Sequence, residues 1–148
     1  MSLQFEGGIR AQGWRMAMRQ NFGTFVLVMA AFLGVLTALW AGLRPANFAR
    51  SLGLTIANSG GVNEVRSQYA GFFLACAVVC VAALGGAVPR SAAFVLLVAV
   101  FAGLFCGRLV SLALNRGMSG YPAMIVALYG IDSLGLLVSA MALKWSRG

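Results

Sequence analysis

Four long apolar stretches alternate along this chain with short polar breaks. They cover residues 22–43, 64–87, 91–114 and 122–143. Each is close to the roughly 20 apolar residues that a helix needs to cross a bilayer. The breaks carry turn chemistry. Arg44-Pro45 predicts the start of a short surface helix, with proline in its first turn, and Phe48, Leu52 and Leu54 supply an apolar side. Asn58-Ser-Gly-Gly61 interrupts the chain before the second span, and Gly85, Gly86 and Pro89 stop that span. Asn115 to Gly120 forms the turn into the fourth. One longer connection and otherwise short turns predict an all-α, integral membrane four-helix bundle, folded as a single domain.

Residues 1–20 follow another pattern. Ile9, Trp14, Met16 and Met18 interleave with Arg10, Arg15 and Arg19. There is no long apolar core and no small-residue cleavage site, so a signal peptide is not expected. The expectation is an N-terminal interfacial helix lying on the membrane face.

Composition agrees with a membrane protein. The 148 residues are 61% hydrophobic and only 9% charged, with mean hydropathy +0.90. The net charge of +8 does not point to nucleic acid, because the basic residues cluster at the ends of the apolar runs, where they anchor and orient spans. Arg10, Arg15, Arg19, Arg90, Lys144 and Arg147 fall on the side of both termini, against Arg44, Arg50 and Arg116 on the other. Arg66 and Arg108 fall within span ends on that other side; counted there they leave six against five and no signal, and counted with the spans they leave six against three, which favours both termini in the cytoplasm. The absence of histidine excludes histidine-ligated haem and the usual base of hydrolases. Cys76, Cys80 and Cys106 lie inside apolar runs and read as small apolar contacts rather than a metal pair or disulfides. No cofactor or metal is expected. Small residues spaced four apart, Gly103 with Gly107 and Gly71 with Ala75, predict close helix contacts.

The three acids of the chain are Glu6, Glu64 and Asp132. Asp132 lies about 15 Å into the fourth span by helical rise. An acid at that depth costs about 3 kcal/mol on insertion scales, so it needs a partner, a proton or a cavity. Tyr129 shares its face, one turn away. Arg108, about 26 Å into the third span, reaches the same end of the bundle, with Asn115 just beyond it. Glu64, Arg66, Gln68 and Tyr69 open the second span there. Arg108 is expected to pair with Glu64, since a guanidinium binds a carboxylate through parallel hydrogen bonds. These groups describe a charged rim above a buried acid. Candidate reactive residues are Glu64, Arg108, Asp132 and Tyr69; candidate binding residues are Arg66, Gln68, Asn115 and Tyr129.

Residues Gly61 to Gly71, Gly-Val-Asn-Glu-Val-Arg-Ser-Gln-Tyr-Ala-Gly, resemble a motif of small four-span bacterial membrane proteins, the domain-of-unknown-function family 4345. That family looks like Glu-x-Arg-x-x-Tyr-Gly-Gly at the start of its second span. Glu64, Arg66, Tyr69 and Gly71 match, with Ala70 in place of the first glycine. Arg108 with Leu109, Ser111 and Gly117 is similar to a second element, an arginine near the end of the third span followed by a glycine-containing turn. The fourth-span acid of the family is usually glutamate, where this chain has Asp132. The resemblance spans residues 22–143. It implies a four-span fold with a polar site in the bacterial inner membrane, and no agreed activity.

Three functions fit these observations. One is an accessory or subunit protein that packs against a larger membrane complex or a second copy of itself. Another is a metal-free membrane isomerase, cyclase or lyase acting on a lipophilic ligand, with Glu64 or Asp132 moving a proton and Arg108 and Tyr69 stabilising charge. The third is a small proton-coupled transporter titrating at Asp132.

Overall fold

The computed structural model describes residues 3–147, with side chains from Gly13 onward. Helix α1 runs Leu3–Leu43, α2 Pro45–Ser51, α3 Ser59–Val65, α4 Phe72–Leu84, α5 Arg90–Leu114 and α6 Ala123–Ser146. A π-helical turn, Arg66–Gly71, joins α3 to α4 so that they act as one rod. No strand occurs among the described residues. Four helical segments are long and apolar enough to cross a membrane: Gly13–Leu43, Ser59–Leu84, Arg90–Leu114 and Ala123–Ser146. The chain is therefore a multi-pass membrane protein by length and composition.

The spans alternate in direction, and α6 closes back against α1. The start of α1, the α4–α5 turn and the end of α6 share one end of the bundle, here the terminal end. Helices α2 and α3 and the α5–α6 turn share the other, the loop end.

Local chemistry sets the boundaries. Pro45 occupies the first turn of α2, as the sequence predicts. The Asn58 side chain accepts from the Gly61 N–H at 3.1 Å, so the Asn-Ser-Gly-Gly break acts as an N-cap and α3 begins earlier than expected. Arg116, Gly117 and Gly120 all have positive φ in the α5–α6 turn, which makes the tight reversal there.

The separate interfacial helix expected over residues 1–20 is not a distinct element. Helix α1 continues without interruption from Leu3 to Leu43, because no proline or capping residue divides it. The side chains of Ile9 and Arg10 lie outside the described residues, while Trp14, Met16 and Met18 are exposed.

The core has two parts. At the terminal end, Val26, Leu27 and Ala31 of α1 meet Cys80 and Ala83 of α4, Ala93, Phe94 and Leu97 of α5, and Ala142 of α6. At the loop end, Ala41, Phe48, Ala49 and Val65 form a smaller cluster under α2, so α2 buries its apolar side rather than lying free on the surface. On α5 the fully buried members stop at Leu97, with Phe101 packed against the first cluster from beyond it.

The closest helix approaches differ from those expected. A Cβ at Gly34 would come within 2.9 Å of the Phe73 carbonyl oxygen, so α1 and α4 touch backbone to backbone there. A Cβ at Gly135 would lie 2.5 Å from the Phe101 ring, which lets α5 seat against α6. The pairs singled out by spacing are not used this way. A Cβ at Gly103 or Gly107 would meet no other helix within 4 Å, and one at Gly71 would approach only the Arg66 carbonyl of its own rod. Spacing marks a small face but not which side of the helix meets a partner.

Candidate functional site

The polar residues at the C-terminal end of α5 are Arg108 and Ser111, with Asn115 as the helix C-cap, a spacing of three and four that places them on one helix stripe. On α6, Tyr129 and Asp132 are three apart and share a face. The two stripes meet. Arg108 Nε donates to Asp132 Oδ2 at 2.5 Å. The Asp132 side chain is 4% exposed and that of Arg108 19%. The Tyr129 hydroxyl donates to the Arg108 carbonyl oxygen at 2.8 Å, and the Arg108 guanidinium carbon lies 5.9 Å from the Tyr129 ring centre. A cation near the ring face adds modest attraction.

Toward the turn, Tyr121 stacks near Tyr129 with ring centres 6.4 Å apart. Its hydroxyl lies 3.0 Å from Ser111 Oγ, and Asn115 Nδ2 donates to it at 3.0 Å. Asn115 Nδ2 also reaches Ser111 Oγ at 3.3 Å. Hydrogen bonds with Ser111 first, then Asn115, hold the Tyr121 phenol below its ordinary range. The result is a polar seam along the loop-end halves of α5 and α6, where the apolar clusters are absent.

The expected pairing of Glu64 with Arg108 does not occur. Arg108 turns toward α6 and takes Asp132, while Glu64 is exposed and makes no ion pair among the described residues. The reason is helical phase: the stripe containing Arg108 also contains Ser111 and Asn115, and it faces α6. Arg66 and Tyr69 lie elsewhere. Arg66 Nε donates to the Gly42 carbonyl oxygen at 3.2 Å, a cation on the C-terminus of α1, which the helix dipole favours. Tyr69 packs on Phe48 with ring centres 4.9 Å apart, and Phe48 packs on Trp40 at 5.2 Å. Gln68 is exposed.

The candidate residues thus divide. Arg108, Asp132, Tyr129 and Asn115 come together; Arg66 and Tyr69 serve the α1–α2–α3 corner; Glu64 and Gln68 join neither. Sequence reasoning missed Ser111 and Tyr121 as members of the seam. The three-four spacing of Ser111 between Arg108 and Asn115 was the available signal.

Chemically, the seam is an ion pair braced by the Tyr129 phenol, with Tyr121 tied beside it to Ser111 and Asn115. A lone acid and a lone arginine are each expensive inside a bilayer, and pairing offsets much of that cost. The described residues contain no group of three histidine, cysteine or acidic side chains placed to hold a metal ion. A comparison with protein-family models, curated proteins and solved structures finds no match.

Proposed function

We propose that this chain is a small accessory or subunit protein of the bacterial inner membrane, with both termini cytoplasmic, that works by packing against the spans of a larger membrane assembly. One observation carries the reading: the α5 face bearing Gly103, Cys106 and Gly107 is exposed, and a Cβ built on either glycine would meet no other part of the described bundle within 4 Å. Small residues at this spacing let a second helix backbone come close, and backbone proximity is a main source of helix association in lipid.

The polar seam supports the same reading. Asp132 is engaged by Arg108, and Glu64 stands apart from both. That arrangement suits a clamp between α5 and α6 better than a proton-handling enzyme or transporter. The resemblance of the Glu64–Gly71 stretch to the four-span bacterial family fits this membrane setting.

The test uses Cys106 as a probe already on the face. A benzophenone maleimide placed on Cys106 in native membranes is photolysed, and the adducts are isolated in mild detergent and sized. A single adduct with another membrane protein, lost in Cys106→Ser, supports the subunit reading. An adduct of two copies of this chain turns it into a homo-oligomer. A partner-free particle that retains a lipophilic small molecule overturns it in favour of an enzyme or carrier.

A further inference from the structure

At the terminal end, α1, α5 and α6 leave an open depression of ≈ 530 Å³. Its polar lining includes Arg19 and Gln20 from α1, Arg90 and Ser91 from the start of α5, and Ser146 from the end of α6, and no acidic side chain among the described residues contributes to it. Its apolar lining includes Phe94 and Trp145. Arg90 Nη1 donates to Thr24 Oγ1 at 3.0 Å, which fixes that guanidinium at the rim. Trp145 is held from behind by Phe22, with ring centres 4.9 Å apart.

The position matters as much as the lining. Arg90 opens α5 and Ser146 closes α6, so the depression sits where two spans end, which for helices crossing a bilayer is the headgroup region. Two guanidiniums, with no acidic side chain beside them among the described residues, form a site for a phosphate oxyanion, which accepts paired N–H donors. An indole beside them sits where interfacial tryptophans sit, between headgroup and acyl chain. Basic pockets between spans on one membrane face are the known setting for anionic headgroups.

We propose that this depression binds an anionic phospholipid, its phosphate held by Arg19 and Arg90 and its upper acyl chain lying against Trp145. The site is separate from the Arg108–Asp132 seam, which lies at the opposite end of the bundle. It does not depend on the accessory reading.

The test follows Trp145 fluorescence in the full chain, with Trp14→Phe and Trp40→Phe as background. The protein is reconstituted in vesicles containing brominated phosphatidylglycerol or brominated phosphatidylcholine at equal mole fraction. The expected result is stronger quenching by the glycerol lipid, with a preference of about fivefold per arginine. Arg19→Gln, which removes no side-chain hydrogen bond found among the described residues, reduces the preference by about that factor. Arg19→Gln with Arg90→Gln abolishes it, and Arg90→Lys retains most of it. Lys144→Gln with Arg147→Gln removes equal charge from the same end outside the depression and leaves the preference in place. Equal quenching by both lipids overturns the proposal, as does a preference that follows Lys144 and Arg147 instead. Loss of the preference on adding millimolar inorganic phosphate at constant ionic strength also overturns the lipid assignment, because the occupant is then a free phosphate.

Discussion

Arg108 and Asp132 meet across the α5–α6 contact, and theirs is the one ion pair among the described residues. It lies where the two helices lack an apolar cluster, so it fastens the halves that hydrophobic packing leaves apart. Removing one partner strands the other charge. Asp132→Ala is expected to destabilise the protein by about 3–5 kcal/mol, the range for breaking a buried pair. Arg108→Leu combined with Asp132→Leu recovers most of that loss, since apolar replacement of both partners is often neutral. Thermal unfolding in mild detergent reads both variants. If Asp132→Ala melts with the parent protein, the clamp is not a stabilising contact.

Gly135 and Phe101 give a second prediction on the same helix pair. A Cβ at position 135 would fall 2.5 Å from the Phe101 ring, inside any allowed contact. Gly135→Ala is expected to cost about 1–3 kcal/mol by overpacking. Adding Phe101→Leu relieves it, because the obstacle is one side chain. Gly103→Ala enters open space and does not lower the melting point of the isolated chain, since alanine is the better helix former. Equal loss from Gly135→Ala and Gly103→Ala would contradict the geometry.

The contrast between these glycines shows what the sequence carried and what it withheld. Span number and approximate limits were legible because apolar length is a property of each segment alone. So was the start of α2 at Pro45, a local backbone effect. The need of Asp132 for a partner was legible from depth. Its identity was not, because Glu64 and Asp132 both reach the loop end and only the rotation of α5 decides between them. The length of α1 was missed for a related reason: alternating basic and apolar residues suggested an interfacial segment, yet nothing in residues 3–43 breaks a helix.

Tyr121 gives a prediction in pH. Its phenol is held below the ordinary tyrosine range by hydrogen bonds with Ser111 and Asn115. Nuclear magnetic resonance of ring-labelled tyrosine, with Tyr121→Phe to identify the signal, should show it ionising below the usual value of about 10. Ser111→Ala moves the midpoint up, and Asn115→Ala moves it up less. Because the fold favours the phenolate, any linked stability is present above about pH 10 and fades as pH falls through the Tyr121 midpoint, so it is absent at neutral pH. A Tyr121 midpoint at or above the usual value would remove the hydrogen bonds from this account.

The three cysteines report on the fold and on the proposed packing face together. Cys106 is exposed, Cys76 half-buried and Cys80 buried. A lipid-soluble maleimide should therefore label the purified protein in the order Cys106, Cys76, Cys80. Cys80 lies in the terminal-end core at 0% exposure, so it should react only when the bundle opens, and its rate should follow global stability. Cys106 carries the further information. It stands between Gly103 and Gly107, where the proposal places a partner helix. In native membranes its labelling should slow relative to the purified chain, by about tenfold if a second helix covers the face most of the time, since tenfold protection needs only about 1.4 kcal/mol of association. Cys76 serves as the internal reference, because it lies on α4, away from that face. Equal Cys106 rates in native membranes and after purification would leave the small face to lipid, and the accessory reading would lose the observation that carries it.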